Sequence, residues 1–377
     1  MKAYLDNAAT TPMAKEVIEV MTDVMTNTFG NPSSTHAFGR EAKGIIENAR
    51  RTVGKYIHAE PKEIIFTSGG TEADNMAILC AVRDLGVKHI ISSVIEHHAV
   101  EHSLDNVKGN FECKISHVNL DEKGNVDLAH LESLLANSEE KVLVSLMHAN
   151  NEIGTLLPLK EVGDLCKKHN AYFHSDTVQT LSHYPINLEE LNIDFITCAA
   201  HKFHGPKGVG FLYKSKDIPL KPLIEGGAQE RGLRGGTENI TGIVGLAKAV
   251  ELANEDIESH ISEVQELKSY MLAGLRSKIE DVRVLGEDVA SKSLYTVLNV
   301  CFPQFSKQDM LLFMLDLEGI ACSGGSACTA GADAGSHVLK GIKADVTRQN
   351  VRFSFSRFTT KEEIDFTIEK VNKIFYS

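Results

Sequence analysis

Short apolar runs alternate with amphipathic segments along most of the chain, and this alternation restricts the fold more than any other feature of the sequence. The apolar runs predict strands at residues 63–67, 89–93, 111–118, 141–147, 171–175, 193–197 and 209–213. The amphipathic segments predict helices at residues 71–85, 98–106, 128–136 and 159–168. Strands that alternate with helices in this way build a doubly wound, mostly parallel sheet, so we predict an α/β fold.

The pattern changes after Thr237. A long helical pattern runs to about residue 279, and it is followed by strands near 295–301 and 350–355 and helices near 307–318 and 361–375. A chain of 377 residues also exceeds one ordinary hydrophobic core. We therefore predict three parts: an N-terminal segment (1–14) that packs with a small α+β domain, a large domain (15–255), and the small C-terminal domain itself (256–377).

Composition and charge exclude several classes of protein. The net charge of −12 argues against direct binding of nucleic acid or of a membrane surface. The sequence contains no apolar run long enough to span a membrane and no signal peptide, so we expect a cytoplasmic protein. Its seven cysteines are odd in number and form no C-x-x-C pair, which indicates reduced thiols rather than a disulfide framework.

Two polar residues follow apolar runs of the predicted sheet. Asp176 ends the run that contains residues 173–175, and Lys202 comes just after the run 193–197. Ligands of open α/β sheets bind outside the carboxyl ends of the strands. A lysine there can form a Schiff base with the aldehyde of pyridoxal phosphate (PLP), and a carboxylate can keep the pyridine nitrogen protonated. A surface lysine beside an unrelated strand-end carboxylate would give the same pattern.

A glycine turn, Gly69 and Gly70 followed by Thr71, joins a predicted strand to a predicted helix. Free backbone N–H groups, the threonine hydroxyl and the helix dipole together favour an anion at such a turn. The turn has neither the lysine of a Walker A motif nor the G-x-G-x-x-G pattern, so a phosphate monoester such as that of PLP is favoured over a nucleotide. An ordinary helix N-cap is the alternative.

Two further segments contain residues that can bind polar groups of a cofactor or substrate. Asn150 and Asn151 lie in a polar cluster at the end of another predicted strand, where amides can bind a phenolic oxygen or a carboxylate. Arg352 alternates with apolar neighbours in a predicted strand. A substrate carboxylate is a good bidentate partner for such an arginine, although an internal carboxylate would serve equally well.

Cys328 differs from the other cysteines in its surroundings. The segment 322–335 contains four glycines and almost no large apolar side chain. This composition indicates a loop rather than a core, and exposed thiols in mobile loops are where reactivity is expected. A flexible loop with an incidental cysteine is the alternative.

One pattern indicates a different chemistry. His98, Glu101 and His102 match the H-x-x-E-H motif of inverted zinc metalloproteases, in which two histidines on one helix face bind zinc and the glutamate acts as base. The chain contains 16 histidines and 51 acidic residues, so such a match arises easily by chance. A metalloprotease would also leave Asp176 and Lys202 without a role, and we therefore do not predict zinc ligands here.

Taken together, these motifs point to one family. The chain resembles the cysteine desulfurases, which supply sulfur for iron–sulfur clusters and tRNA thiolation, within the class V aminotransferase family of fold-type I PLP enzymes. The resemblance implies the PLP-dependent transferase fold, with PLP in the large domain and the Cys328 loop on the small one. It runs nearly end to end through Tyr4–Pro12, Gly30–Ser34, Thr67–Glu72, Asn150–Gly154, His201–Gly208, Glu230–Thr237, Ser323–Cys328 and Val351–Ser354.

The resemblance implies a set of cofactor contacts. Lys202 is implied to be the Schiff-base lysine, and His97 to stack on the PLP ring and help to move protons. Asp176 is implied to pair with the pyridine nitrogen. The remaining implied contacts are Gln179 and Asn151 with ring oxygens or substrate, and Gly70, Thr71, His201 and, from the other subunit of a homodimer, Thr237 with the phosphate.

The resemblance also implies the reaction. L-cysteine binds through its carboxylate to Arg352, and its sulfur passes to the Cys328 thiolate, which leaves a Cys328 persulfide and L-alanine. The loop around Cys328 resembles the iron–sulfur-assembly branch, so the expected acceptor is an iron–sulfur scaffold protein or a thiolation enzyme. The resemblance implies no permanently bound metal. It permits a transient contact between an iron–sulfur cluster and Cys328.

Two departures from the family pattern leave points open. Ala199 stands where the family commonly has serine, which removes a hydroxyl worth roughly 1 kcal/mol from the expected phosphate site. The chain stops at Ser377, whereas some relatives have a longer tail that docks a scaffold. Three alternatives remain: a selenocysteine lyase, which would need Cys328 less; an aminotransferase or kynureninase-like enzyme, which would not use it; and a catalytically silent scaffold.

Overall fold

The computed structural model describes residues 1–324, 336–345 and 347–376. Its helices are α1 (Lys15–Asn27), α2 (Ala37–Ile57), α3 (Gly70–Leu85), α4 (His98–Asn110), α5 (Leu128–Ala136), α6 (Leu159–Lys168), α7 (Ile240–Glu255), α8 (Ile257–Lys278), α9 (Leu311–Leu317), α10 (His337–Gly341) and α11 (Lys361–Phe375). Its strands are β1 (Ala3–Tyr4), β2 (Ile64–Thr67), β3 (His89–Ser92), β4 (Lys114–His117), β5 (Val142–Ser145), β6 (Tyr172–Asp176), β7 (Phe195–Ala199), β8 (Gly210–Lys214), β9 (Arg283–Leu285), β10 (Val297–Cys301), β11 (Ile320–Ala321) and β12 (Asn350–Ser354).

A seven-stranded sheet forms the centre of the large part of the protein. Its strand order is β2-β8-β7-β6-β5-β3-β4, and β8 runs antiparallel to both of its neighbours while the other pairs are parallel. Every residue of β2, β3, β5, β7 and β8 is buried, as expected for strands that are covered on both faces. The predicted mostly parallel sheet is confirmed.

Neighbouring residues of β3 and β5 pack into two different apolar cores, one on each face of the sheet. Ile90 and Leu143 pack with α3 and α4 on one face of the sheet. Their neighbours Ile91 and Val144 pack on the other face with α1, α2, α5, α6 and α7. This period of two places helices on both faces, which is the doubly wound arrangement that the sequence predicts.

The C-terminal part has a separate sheet and core. β10 lies between β12 and β9 in an antiparallel sheet, and α8, α9 and α11 contribute to the apolar core beside it. The N-terminal strand β1 pairs in parallel with β11, and Ala3 and Leu5 belong to the same core. The N-terminal segment thus packs with the C-terminal core, while the exact domain boundaries stay a prediction.

The long helical pattern predicted after Thr237 forms two helices. The helical pattern is divided into α7 and α8 at Asp256, whose backbone has φ −133° and ψ 43°. The helix α7 packs in the core of the large sheet, whereas α8 packs in the core of the small one. Within the described ranges, no helix combines the length and the apolar composition that crossing a bilayer requires.

Candidate active site

The parallel pairing of β6 and β7 brings Asp176 and Lys202 to the same edge of the sheet. Asp176 is the last residue of β6 and lies opposite Thr197 of β7. After β7 ends at Ala199, a single 3₁₀ turn (Ala200–Lys202) places Lys202 beyond the carboxyl ends of the strands. This edge is where ligands of open α/β sheets bind.

A cavity of about 260 Å³ lies at this edge. Almost all residues that the sequence predicts for the site line it: Gly70, Thr71, His97, Asn151, Asp176, Gln179, His201, Lys202 and Arg352. Thr237 does not line this cavity, and Cys328 lies outside the described residues. The fold therefore gathers side chains from widely separated segments of the sequence around one space.

Lys202 is held at the cavity by the N-terminal segment. Its Nζ donates hydrogen bonds to the backbone oxygens of Ala8 (2.7 Å) and Ala9 (2.9 Å). His183 donates through Nε2 to the backbone oxygen of Lys202 at 3.1 Å. The Gln179 amide also donates to the Ala8 oxygen at 3.0 Å, so the segment before α1 completes one wall of the cavity.

Asp176 offers a buried carboxyl group to the cavity. Its Oδ1 accepts a hydrogen bond from the Val178 N–H at 2.8 Å. Burial raises the pKa of Asp176, and the nearby His97 and Lys202 act in the opposite direction. A buried carboxylate is costly unless a cationic partner compensates it. A protonated ring nitrogen is such a partner, so this position fits the pyridine of PLP.

His97 caps the helix that follows it. Its Nδ1 accepts a hydrogen bond from the Ala99 N–H at 3.1 Å, which makes His97 the N-cap of α4. In the neutral ring the proton must then lie on Nε2. Burial lowers the pKa of His97, with Asp176 opposing the change. The ring is therefore oriented and favours the neutral form.

The glycine turn forms an anion site at the N-terminus of α3. Gly69 is the N-cap with φ 154°, and Gly70 begins the helix. The N–H groups of Gly70 and Thr71 belong to the first helical turn, which has no intrahelical acceptors. A Cβ atom on Gly70 would lie 2.7 Å from Cγ2 of Val178, so a side chain cannot be added without a shift. The turn suits a phosphate group.

His201 lies beside this turn on the cavity wall. Its Nδ1 lies 3.1 Å from Oγ1 of Thr10, and burial, helped by Lys202, lowers its pKa to about 4. A neutral His201 can donate a hydrogen bond to a phosphate oxygen. Ala199 also lines the cavity, and its methyl group offers no hydrogen bond in place of the family's serine.

Arg352 is buried and already has a carboxylate partner. Its Nη2 donates to Oδ1 of Asp6 at 2.9 Å, its Nη1 donates to the Asn151 backbone oxygen at 2.8 Å, and its Nε has no partner among the described residues. Ser323 donates to the same Asp6 oxygen at 2.7 Å. Asp6 is thus the internal carboxylate partner that the sequence analysis named as an alternative to a substrate carboxylate. Arg352 and Asn151 nevertheless both line the cavity.

Thr237 lies in a second cavity of about 80 Å³, which Ser68 and Arg234 also line. Arg234 forms an ion pair with Glu72 in the first turn of α3, with Nε 2.9 Å from Oε1. This ion pair attaches the segment that contains Thr237 to the start of α3 in the same chain. The contribution of Thr237 to a partner subunit stays a prediction.

Sequence reasoning missed a buried polar layer behind Asp176. Asp74 lines the cavity one turn after Gly70, and burial together with Asp176 raises its pKa well above the usual range. Its Oδ1 lies 3.4 Å from Nε2 of His174, whose Nδ1 lies 2.9 Å from Oγ of Ser145. Burial lowers the pKa of His174 to about 3, so this ring is neutral. The sequence did offer one indication of Asp74: it lies four residues after Gly70, so both residues are on the same face of a predicted helix.

Comparison with known proteins identifies the family. The aminotransferase class-V family profile matches residues 3–366. The chain belongs to the class-V aminotransferase family. Curated relatives include the cysteine desulfurase IscS of Dictyoglomus turgidum, 43% identical over 99% of this chain and 94% of the relative, and that of Methanosarcina thermophila, 42% identical over 98% and 91%.

Solved structures of this family share the fold. A NifS-like protein superposes with a TM-score of 0.91 at 36% identity over 99% of both chains. SspA in complex with cysteine superposes with a TM-score of 0.82 at 30% identity, over 95% of this chain and all of that one. The PLP-dependent fold type I, the family and PLP as cofactor are thereby confirmed.

Proposed function

We propose that this enzyme is a cysteine desulfurase that takes the sulfur of L-cysteine onto Cys328 and releases L-alanine. The observation that carries the proposal is the cavity that joins Lys202, Asp176, His97 and Arg352 in a chain 40–43% identical to curated cysteine desulfurases over nearly its full length. SspA, a structural neighbour, was solved with cysteine bound, which supports the same substrate here.

The residues around the cavity can hold PLP and prepare it for the reaction. PLP bound there supplies an electron sink that makes the α-proton of an amino acid removable. The Lys202 amine would hold the aldehyde carbon and afterwards act as a base for that proton. Asp176 would keep the ring nitrogen protonated, and His97 would cover the ring face.

Substrate orientation is assigned to Arg352 and Asn151, which line the same cavity. Arg352 would receive the carboxylate of L-cysteine, since the guanidinium is fixed by Asp6 and by the Asn151 carbonyl. The Asn151 side chain would bind the same substrate or the cofactor's phenolic oxygen. Fixing both groups before the reaction removes much of the entropic cost of bringing the sulfur to an attacking thiolate.

The sulfur-transfer step is balanced without a further reagent. The Cys328 thiolate attacks the substrate sulfur, an S–S bond forms and the substrate C–S bond breaks with its electron pair on carbon. That carbon then takes a proton, so cysteine is reduced to alanine while its sulfur is oxidised to the persulfide level on Cys328.

The other cysteines support this assignment by their surroundings. Burial is the main cause of a raised thiol pKa at all six cysteines in the described part of the chain. Cys322, the neighbour of the predicted nucleophile in sequence, has its pKa raised to about 12. Such thiols stay protonated at neutral pH and are poor nucleophiles. Cys328 therefore remains the best candidate.

We further propose a cytoplasmic homodimer that passes its persulfide to a protein acceptor, either an iron–sulfur scaffold or a thiolation enzyme. An apolar patch around the end of α1 and the start of α2 supports self-association: Met25 is 63%, Phe29 79% and Phe38 53% exposed. The Phe29 and Phe38 rings already pack together, with centroids 4.9 Å apart. Thr237 does not line the cavity that contains Lys202 of the same chain, so it is available to contribute to the site of a partner subunit.

A pair of serine substitutions tests the nucleophile. Cys328→Ser should still bind PLP and should still change its absorption spectrum with L-cysteine, but it should release no sulfide in the presence of a reductant. Cys322→Ser is the matched control and should release sulfide like the wild type, because its thiol is protonated in the native state. Wild type incubated with L-cysteine and no reductant should gain the mass of one sulfur atom on the Cys328 peptide.

The same assays separate the alternatives. Normal sulfide release by Cys328→Ser would refute Cys328 as the nucleophile. Wild type that ignores cysteine but acts on selenocysteine would be a selenocysteine lyase, and one that transfers the amino group to a keto acid would be an aminotransferase. Incubation of the persulfide form with candidate acceptor proteins, followed by detection of transferred sulfur, identifies the pathway.

A further inference from the structure

Three side chains that can bind metals converge outside the cavity. His98 and Glu101 lie in the first turn of α4, and His337 is the first residue of α10. One ligand atom of each lies within 4.8 Å of those of the other two. Nδ1 of His98 is 2.9 Å from Oε2 of Glu101, and Nε2 of His337 is 3.8 Å from the same oxygen. Two elements that are distant in sequence thus contribute to one cluster.

The three side chains are near enough to one another to bind one small metal ion. Zinc binds histidine nitrogens and carboxylate oxygens at about 2.0–2.2 Å in tetrahedral geometry, which places neighbouring ligand atoms about 3.3 Å apart. Nδ1 of His98 and Oε2 of Glu101 are 2.9 Å apart, which is close to that spacing. The side chains of His98 and His337 are 25% and 22% exposed, so an ion from solvent can reach them.

A backbone hydrogen bond orients one of the histidines. The His337 ring donates through Nε2 to the backbone oxygen of Glu96 at 2.8 Å. A neutral imidazole has a single N–H, so Nδ1 of His337 carries the lone pair that a metal needs. Metal-binding histidines characteristically donate their other nitrogen in this way, which fixes both tautomer and ring orientation.

The cluster differs from the H-x-x-E-H arrangement. In that arrangement His98 and His102 are the two histidine ligands. Here the exposed His102 ring stacks on His98, with centroids 5.2 Å apart, and His102 is not one of the three converging residues. The second histidine is supplied by α10 instead, where the sequence pattern gave no indication of it.

We propose that His98, Glu101 and His337 bind one divalent transition-metal ion of the zinc class, with water as the fourth ligand, and that the ion fastens α10 to the start of α4. The ion takes the place of the proton shared between His98 and Glu101. His98 directly follows His97, and the Glu96 carbonyl already holds His337. The ion therefore stabilises the segment that supports His97 on one side and the beginning of α10 on the other, without entering the cavity.

Zinc binding to the PLP-loaded protein tests this inference. Equilibrium dialysis against buffered Zn²⁺ should be done in the Cys328→Ser background, so that this thiol does not bind the ion. That protein should bind one Zn²⁺ per chain. Loss of an outer-shell partner typically weakens metal binding 10- to 100-fold, so His337→Ala and His98→Ala, which remove a ligand itself, should weaken it by at least about 100-fold.

His102→Ala is the matched control because it removes a histidine from the same helix that is outside the converging set. It should bind Zn²⁺ within about threefold of the parent, well inside the 10-fold that even outer-shell changes cost. Zn²⁺ should also raise the melting temperature of the parent and of His102→Ala, but not of His98→Ala. Far-UV circular dichroism and PLP absorption show whether each variant is folded.

Three outcomes would overturn the inference. The first is the absence of stoichiometric Zn²⁺ binding to the parent protein. The second is binding that is lost in His102→Ala and kept in a folded His337→Ala, which would assign the ion to α4 alone. The third is equal binding by all variants, which would place the ion at other groups such as the remaining thiols.

Discussion

Replacement of Glu96 by glutamine should change how the stability of the protein depends on pH. Glu96 precedes His97 and is only 2% exposed. Its Oε1 accepts from the Ser93 hydroxyl at 2.7 Å, and the Met147 N–H donates to both carboxyl oxygens at 3.2 and 3.0 Å. Burial nevertheless raises the pKa of Glu96 from 4.5 to about 8. The carboxyl group is therefore neutral in the native state at pH 7.

The sign and size of the effect follow from proton linkage. Between pH 4.5 and about 8 the native protein keeps the Glu96 proton and the unfolded chain loses it, so this group makes the native state less stable as the pH rises. At about 1.36 kcal/mol per pH unit, the interval of about 3.5 pH units corresponds to roughly 5 kcal/mol. Glutamine is neutral throughout and should not contribute this slope. Glu96→Gln should therefore gain stability over the wild type with increasing pH.

The measurement is urea denaturation of both proteins at several pH values between about 5 and 8. The chain contains no tryptophan, so unfolding is followed by far-UV circular dichroism. Buried histidines such as His148, with a pKa of about 4, make the stability of both proteins rise with pH below about 6.5, but this contribution cancels in the difference. Glu161→Gln, at an exposed position on α6, is the control and should follow the wild type.

One result would refute this reasoning. If the difference in unfolding free energy between Glu96→Gln and wild type stays constant from pH 5 to 8, Glu96 is ionised in the native state and its burial does not dominate. A difference that falls with pH would mean that the ionised carboxylate is stabilised by the Ser93 and Met147 donors.

Three other changes test the site and its support. Lys202→Ala should fold but lose turnover, and borohydride should attach PLP to the Lys202 peptide of the wild type; a label on another lysine would contradict the assignment. Arg352→Lys should lower kcat/KM for L-cysteine about 10- to 100-fold, since hydrogen bonds to charged groups contribute about 1.5–3 kcal/mol; unchanged kinetics would exclude a substrate contact. Glu230→Gln should destabilise the fold by about 3–5 kcal/mol, because Arg50 is buried and paired with Glu230 at 2.7 Å. Arg50→Met with Glu230→Leu should recover much of that loss in melting experiments, and failure to do so would refute the argument from an unpaired charge.

The residues at strand ends could be predicted from the sequence for a physical reason. A strand buried on both faces is a short apolar run, so its carboxyl end is visible as the point where polar residues begin. Parallel neighbours deliver these ends to the same edge of the sheet, which is why Asp176 and Lys202 meet. The glycine turn before α3 was visible in the same way, since its conformation and close packing exclude other residues.

Contacts between distant segments could not be predicted in this way. The carbonyl groups of Ala8 and Ala9 that hold Lys202 carry no sequence signal, because every residue has a carbonyl group. The pairing of Asp6 with Arg352 depends on how β1 joins the small domain beside β12. The division of the long helical pattern at Asp256 has the same origin, since α7 and α8 must reach two different cores.

The histidines around Lys202 position the backbone without adding charge to the cavity. His183, His201 and His204 each have a pKa of about 4, with burial as the main cause. His183 holds the Lys202 carbonyl, and His204 donates through Nδ1 to the Pro12 backbone oxygen at 2.8 Å. The His204 bond fastens the segment after β7 to the N-terminal segment, and the His183 bond fastens it to the loop after β6. The three rings therefore stay neutral above about pH 5 and add no positive charge beside Lys202 and Asp176. An added positive charge there would disfavour a protonated pyridine nitrogen paired with Asp176.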